Sequence, residues 1–553
     1  MPYQLRNMFA YMCAFNNLKN PLLLFEEFKD SLTEDYSQTN PKELSEALAL
    51  LDIEGILKTQ RLSCALVGLP TPQIEQNDFK DINVKEEYQR YTELEETLNQ
   101  EQRYIFNEII GAVNNDMLSE DSKCFFIDGP GGSGKTYLYN ALICGMRGQG
   151  KTVLSYATTG IAADLLTDGR TMHSGFDLPI QMLDNSTSSM TIPSQKSEDI
   201  RKASAIIIDE TSSMHKNALR IIDMLLREIM QTDKEFGGKV LILGGDFRQT
   251  ANIIHGGKSV DIIEASIKNS PLWKKYFKVF HLTQNMRAKG DIEFNNWLLS
   301  IGNGENGEIV EIPEDMIATK DIVEEVFGKH LNLTTDDLKK RAILTTTNKD
   351  VLNINNRILK EMPGEEKVYK SIDVLVDETE DMSTNFPLEF LNKQNPTGLP
   401  PHILNVKVGA VIMLIRNINI KKGLLNGTRL IVISLHEHFI AAKILTGSSK
   451  GDIVYIPKID LQNNENVLPF TMKRRQFPFI VAFAITINKA QGQTYETVGI
   501  YLPKTVFSHG QLYVALSRTQ CRQNLKISMI ANEDQGLKET KYYTKNVVIK
   551  ELL

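Results

Sequence analysis

The segment Gly129-Pro130-Gly131-Gly132-Ser133-Gly134-Lys135-Thr136 constrains this chain more than any other stretch of its sequence. It follows an apolar run, Phe125 to Asp128, and opens a helix-like run, Tyr137 to Met146. A GxxxxGK[ST] turn between a buried strand and a helix is a phosphate-binding loop in the context it requires. Glycines let backbone N–H groups wrap phosphate oxygens, and the helix N-terminus adds a favourable dipole. In such a loop Lys135 reaches the β- and γ-phosphates and the Thr136 hydroxyl holds Mg²⁺. The competing reading is a plain glycine-rich turn, which the full pattern in this setting disfavours.

The surroundings suit that loop. From Leu98 onward, short apolar runs alternate with helical stretches: CFFID, TVLSYAT, AIIIDE and VLILGGD. Buried parallel strands joined by helices give this pattern, so an α/β fold is expected. Ile206-Ile-Ile-Asp209-Glu210 is an apolar strand ending in two acids. Asp209 is the candidate Mg²⁺ ligand and Glu210 the candidate general base for an attacking water. Gly244-Gly-Asp246-Phe-Arg-Gln249 ends another strand, and Gln249 is placed to sense a γ-phosphate. A second α/β pattern resumes at Arg341. Residues 400–475 read as a small β-barrel set into it, and Gln76 to Glu93 as a polar linker.

Composition excludes several classes. The chain has 553 residues, 42% of them hydrophobic, enough for several ordinary cores. Its longest apolar run, near Pro478 to Ile487, is too short to span a bilayer, so no membrane partner is expected. The N-terminal stretch lacks the pattern of a secretory signal. Five scattered cysteines without a CxxC favour a reducing compartment over a disulfide framework or zinc ribbon. The net charge of −7 advertises no global basic field, yet a locally basic groove remains compatible with nucleic acid.

Two motifs invite other readings. Asn348-Lys349-Asp350 approaches a guanine-reading NKxD, but the aspartate comes one place early. His436-Glu437-His438 approaches the His-U-His metal site of rolling-circle nucleases, but its central residue is charged. It is expected to be a strand turn with exposed histidines.

Taken in order, Leu98–Gln102, GPGGSGKT, Ala157-Thr-Thr-Gly-Ile-Ala-Ala163, Gly169–Ser174, IIIDE, GGDFRQ, Leu282-Thr-Gln-Asn-Met-Arg287, Ile487–Thr494 and Tyr513-Val-Ala-Leu-Ser-Arg518 resemble the superfamily-1 helicases of the PIF type. Segments Phe386–Leu430, Leu468–Phe479 and Leu5–Tyr36 look most like the Helitron-transposon branch. The rolling-circle nuclease of intact transposon proteins is not in this sequence, which leaves a fragment, a decayed copy and a stand-alone helicase open.

The resemblance implies two RecA-like P-loop NTPase domains sharing one ATP, with an SH3-like β-barrel insertion in the second and a mostly helical N-terminal extension. The implied divisions are 1–95 (extension and linker), 96–285 (first domain, with a small insertion at about 166–199), 286–399 and 476–553 (second domain), and 400–475 (barrel). Gln102 would read adenine. Gly129 to Thr136, Asp209 and Glu210 would bind and hydrolyse MgATP. Gln249, Arg287 and Arg518 would report on the γ-phosphate. Thr158, Thr159, His173, Lys489, Gln491, Gly492 and Thr494 would face DNA. Lys421, Lys422, Lys473, Arg474 and Arg475 are further basic candidates, and Phe176 a candidate stacking wedge, though a solvated face and a core position suit them as well.

The implied activity is ATP-dependent 5′→3′ DNA unwinding on single-stranded and forked DNA, serving repair, recombination, telomere maintenance or Helitron transposition. A monomer or a weak DNA-induced dimer is expected, in the nucleus, with the mitochondrion as the other candidate. The alternatives are a catalytically silent DNA-binding remnant and a P-loop ATPase acting on RNA.

Overall fold

Residues 2–15, 18–37, 41–60, 62–72, 83–114, 123–251, 257–284, 286, 291–329, 335–376, 386–396, 398–419, 422–463, 468 and 470–553 are described by the computed structural model. Helices α1 (Pro2–Phe15), α2 (Pro21–Glu27), α3 (Lys29–Ser37) and α4 (Lys42–Thr59) form an N-terminal module. Its own small core gathers Phe9, Phe25, Leu32, Ile53 and Leu57. Arg6 is buried there between Asp35 at 2.7 Å and Asp52 at 3.0 Å.

Helix α5 (Val84–Glu96) occupies much of the stretch expected to be linker. Residues 84–93 are therefore not a spacer, and residues 73–82 lie outside the described set. α5 has a polar sequence, but its tyrosines pack. Tyr91 stacks on Phe106 at 5.5 Å. The Tyr88 backbone lies where a Cβ on Gly148 would stand, 2.9 Å away. So α5 belongs to the first lobe.

That lobe continues with α6 (Gln100–Val113) and a six-stranded sheet. Its strands are β1 (Cys124–Asp128), β2 (Val153–Ala157), β3 (Arg170–Thr171), β4 (Ala205–Asp209), β5 (Val240–Gly245) and β6 (Phe277–His281). They run in the order β3-β2-β4-β5-β1-β6, and every pairing is parallel. Continuous apolar runs suit such strands because helices cover both faces. Helices α7 (Lys135–Gly148) and α8 (Gly160–Leu165) each start just beyond a strand's C-terminal end, which brings the loops at that edge together. Phe176, the candidate wedge, is fully buried against Tyr156 at 4.7 Å between ring centres. It is a core residue and cannot stack on a base.

The second lobe has four parallel strands in the order Ala484–Thr486, Arg341–Thr345, Thr497–Leu502, Leu525–Met529. Both lobes are thus α/β, as the alternating pattern predicts. The Asn348-Lys349-Asp350 motif opens the helix Asn348–Glu361, where Thr347 caps the Asp350 amide at 3.2 Å. It is a helix start. Between that helix and strand Ala484–Thr486 the chain makes an antiparallel β-rich excursion, with strands from Lys367 to Val481. The excursion is wider than the 400–475 expected from local pattern: strands Lys367–Lys370 and Ile372–Leu375 precede that range and Phe479–Val481 follows it.

Inside it, Arg474 is wholly buried and pairs with Asp373 through Nε at 2.8 Å and Nη2 at 2.7 Å. It also donates to the Pro400 carbonyl at 2.9 Å. This corrects its reading as a DNA contact. The polar, charge-rich run around it gave no sign of burial; the partner lies a hundred residues away. Arg474→Ala strands Asp373 in the interior, and a buried charge without its partner costs about 3–5 kcal/mol. Urea unfolding is expected to show that loss, and an unchanged midpoint would refute the structural role. Arg475 reaches the N-terminal module through Gln60 at 2.8 Å, and Lys422 reaches it through Asp52 at 3.5 Å. Lys421 lies outside the described residues.

Candidate functional site

The glycine loop is shaped by what surrounds it. Gly134 has φ +83°, and a Cβ there would stand 2.5 Å from the Gln102 side-chain nitrogen. Only glycine meets both conditions. Gln102 is held against the loop by a capping box on α6: its amide donates to Asn99 Oδ1 at 2.8 Å and its Oε1 accepts from the Asn99 amide at 3.1 Å. Its Nε2 donates to the Ser133 carbonyl at 3.4 Å. Lys135 Nζ donates to the Gly129 carbonyl and lies 3.5 Å from that of Pro130. The loop and Lys135–Thr136 line one wall of a cleft of ≈ 280 Å³.

The two acids meet the loop across this cleft. Glu210 sits in the left-handed region at φ +57°, an uncommon place for a residue with a side chain. The turn is held from both sides, because Thr158 Oγ1 and Ser213 Oγ donate to the Glu210 carbonyl at 2.9 and 3.1 Å. Glu210 N–H donates to Asp209 Oδ1 at 2.8 Å. Burial, and then the neighbouring Glu210 charge, push the Asp209 carboxyl up to about 7, against the pull of Lys135. Asp209 and the Thr136 hydroxyl would hold a divalent cation, whose positive charge would offset the cost of burying the carboxylate, so the residues present fit Mg²⁺. Among the described residues no group of three or more His, Cys, Asp or Glu is placed to hold a metal ion, His436 and His438 included.

The second lobe closes the cleft. Arg518 is 2% exposed and lines it together with Gly492. Its head is oriented by the Val514 carbonyl at 2.8 Å and Ser517 Oγ at 2.8 Å. Gln491 reaches into the first lobe. Its Oε1 accepts from Thr250 Oγ1 at 2.5 Å, and its Nε2 lies 3.5 Å from Glu210 Oε2.

Gln249 lines the same cleft, and its Nε2 donates to Asp246 Oδ2 at 3.2 Å. Asp246 is fully buried and also accepts from Arg248 Nη1 at 2.9 Å and the Tyr513 hydroxyl at 3.1 Å. Asp246, Arg248 and Tyr513 lie inside the GGDFRQ and YVALSR motifs, where no local pattern marks them as partners. Nothing in a linear sequence says that GGDFRQ and YVALSR touch.

The remaining site candidates separate in space. Gln491 and Gly492 lie on the nucleotide-loop side, whereas Lys489 lines a groove of ≈ 760 Å³ between helix Asn348–Glu361 and the β-rich excursion. Burial lowers the pKa of the Lys489 ammonium. Thr494 is exposed. Thr159 caps α8 by accepting from the Ala162 amide at 3.3 Å. His173 is half-buried, which lowers its pKa. Arg287 lies outside the described residues; its neighbour Met286 lines the cleft, with its amide on the Gly132 carbonyl at 2.8 Å.

One cleft with a wall from each of two parallel-sheet lobes is the build of a two-lobed P-loop nucleoside-triphosphatase. Residues 97–311 match the family model "PIF1-like helicase" and residues 389–435 match "DNA helicase Pif1, 2B domain". The ATP-dependent DNA helicase PIF1 of Danio rerio is 25% identical over 478 residues, covering 83% of this chain and 65% of that protein. The chain spans 57% to 65% of the length of the vertebrate relatives it matches. Among solved structures, two coordinating Pif1 helicases at forked double-stranded DNA are similar at 27% identity and TM-score 0.57, over 78% of this chain and 92% of that one. The Bacteroides Pif1 helicase in complex with ADP-AlF3 and single-stranded DNA is similar at 26% identity and TM-score 0.57, with the same coverage of 78% and 92%.

Proposed function

We propose that this chain is an ATP-dependent DNA helicase that moves 5′→3′ along single-stranded DNA and opens forked duplexes. The carrying observation is that Gln491 of the second lobe lies against both Glu210 and Thr250 of the first, so the general base and lobe closure share one contact. In this reading the loop amides and Lys135 bind the phosphates, and Gln102 meets the base. Thr136 and Asp209 hold Mg²⁺, which when bound neutralises phosphate charge. Glu210 takes the proton of the attacking water, and Arg518 meets the charge that builds on the transferred phosphoryl group.

The chemistry couples to motion because the lobes close on the triphosphate and part after its cleavage. Thr158 is tied to the Glu210 turn, and Lys489 stands two residues before Gln491. Groups proposed to grip DNA are thus one or two links from the proposed catalytic centre. Tracking along any sequence calls for phosphate contacts and base stacking rather than base-edge readout. Each base-pair step resists opening by roughly 1.4 kcal/mol, a load that one hydrolysis per step can meet.

The relatives' printed names support ATP and DNA as substrates. The likeness to the Helitron branch, and repair, recombination or telomere roles in the nucleus, rest on sequence resemblance. Strand displacement with 5′-tailed and 3′-tailed forks tests the polarity. The 5′-tailed substrate is expected to open faster, and the reverse order overturns the direction. RNA stimulating hydrolysis better than DNA would overturn the substrate.

A further inference from the structure

The second lobe also touches the first where residues 509–513 meet residues 246–249. His509 Nε2 lies 2.7 Å from the Phe247 carbonyl oxygen. Gly510 has φ +69°, and a Cβ there would collide with the Arg248 carbonyl oxygen. One helical turn on, Tyr513 is 2% exposed, and its hydroxyl is 3.1 Å from two groups of the first lobe. It accepts from the Gly131 amide, which belongs to the phosphate loop, and it donates to Asp246 Oδ2.

Asp246 is a shared acceptor. Oδ1 takes the Arg248 amide at 3.1 Å and Arg248 Nη1 at 2.9 Å, while Oδ2 takes Gln249 Nε2 at 3.2 Å and the Tyr513 hydroxyl. A carboxylate accepts and an amide nitrogen donates, so the orientation of the Gln249 side chain is fixed: Nε2 faces Asp246. Its Oε1 is left buried with no hydrogen-bond partner, although Gln249 lines the cleft and is 5% exposed. A buried carbonyl oxygen without a donor is costly in a folded protein unless something is meant to meet it. A water placed for attack on a phosphate supplies that donor.

Resting on the helicase reading above, we infer that Tyr513 is a positioning residue for hydrolysis: with the lobes together, its hydroxyl joins the Gly131 amide to Asp246 and so holds Gln249 with Oε1 turned to the attacking water. Parting of the lobes withdraws the hydroxyl, and the first lobe alone then lacks one of the four donors that set this geometry. Tyr513 thereby makes water orientation conditional on closure. Arg518, five residues on, makes charge stabilisation conditional on the same movement.

The test is a double-mutant cycle on DNA-stimulated ATP hydrolysis by the full chain. Tyr513→Phe keeps the ring and its packing and removes only the hydroxyl. It leaves the buried Asp246 carboxylate and the half-buried Gly131 amide each short of one partner, so kcat is expected to fall about tenfold. KM for ATP is expected to stay within about twofold, because the ground-state phosphate contacts are untouched. In a Gln249→Ala background the same change is expected to cost nothing further, since the group it positions is gone. Wild-type kcat in Tyr513→Phe, or an equal further loss in the Gln249→Ala background, overturns the inference. Asp246→Asn, read in the same cycle, carries the test if Tyr513→Phe lowers the melting midpoint. Wild-type protein run alongside separates the two levels: no stimulation by single-stranded DNA would count against the motor itself, not against Tyr513.

Discussion

Lys135→Ala is expected to lose DNA-stimulated ATP hydrolysis by roughly 10²–10³-fold or more, the scale of removing one group that meets developing charge in a water-poor site. The ammonium lies over the Gly129 and Pro130 carbonyls, at the wall of the cleft. Its removal deletes the one side-chain cation of the loop and leaves the backbone turn, with Gly134 at φ +83°, intact. Binding of single-stranded DNA is expected to remain measurable, because Lys489 and its groove lie apart from the loop. Fluorescence anisotropy with a labelled oligonucleotide, set beside phosphate release, reads both. Normal turnover in this variant would refute the assignment of the cleft.

Glu210→Gln is the second large effect. Glutamine preserves the shape of the side chain but cannot accept a proton from water. General-base catalysis contributes about 10²–10⁴-fold, so kcat is expected to fall by that order. Nucleotide binding should persist, since Lys135 and Asp209 are untouched. The backbone turn at φ +57° should persist too, because it is held through the Glu210 carbonyl by Thr158 and Ser213 rather than through the carboxylate. Single-turnover hydrolysis compared with nucleotide titration separates the two steps. A variant that binds poorly yet cleaves at the normal rate would move the base to another residue.

The nucleotide side of this site was legible from residues because its chemistry is local. Gly129 to Thr136 must lie between a strand and a helix to cradle phosphate, and Asp209–Glu210 must end a strand to reach it; each requirement is met within about ten residues. The α/β class was legible for the same reason, since a run such as AIIID suits a strand covered on both faces. Polar composition was the poor guide. Helix α5 looked like linker because its packing lies in Tyr88 and Tyr91, which face α7 and Phe106. Arg474 suited a DNA contact or a solvated face equally, and is neither, because its partner, Asp373, is on a different strand.

What the sequence by itself determined is which groups exist and which local turn each one sits on. Only the tertiary structure decided which groups share a space: Gln491 against Glu210, Tyr513 between Gly131 and Asp246, Arg475 against Gln60. The physical reason is that these contacts join residues hundreds of positions apart. Their geometry is set by how two sheets and an excursion pack, and no spacing rule along the chain encodes that.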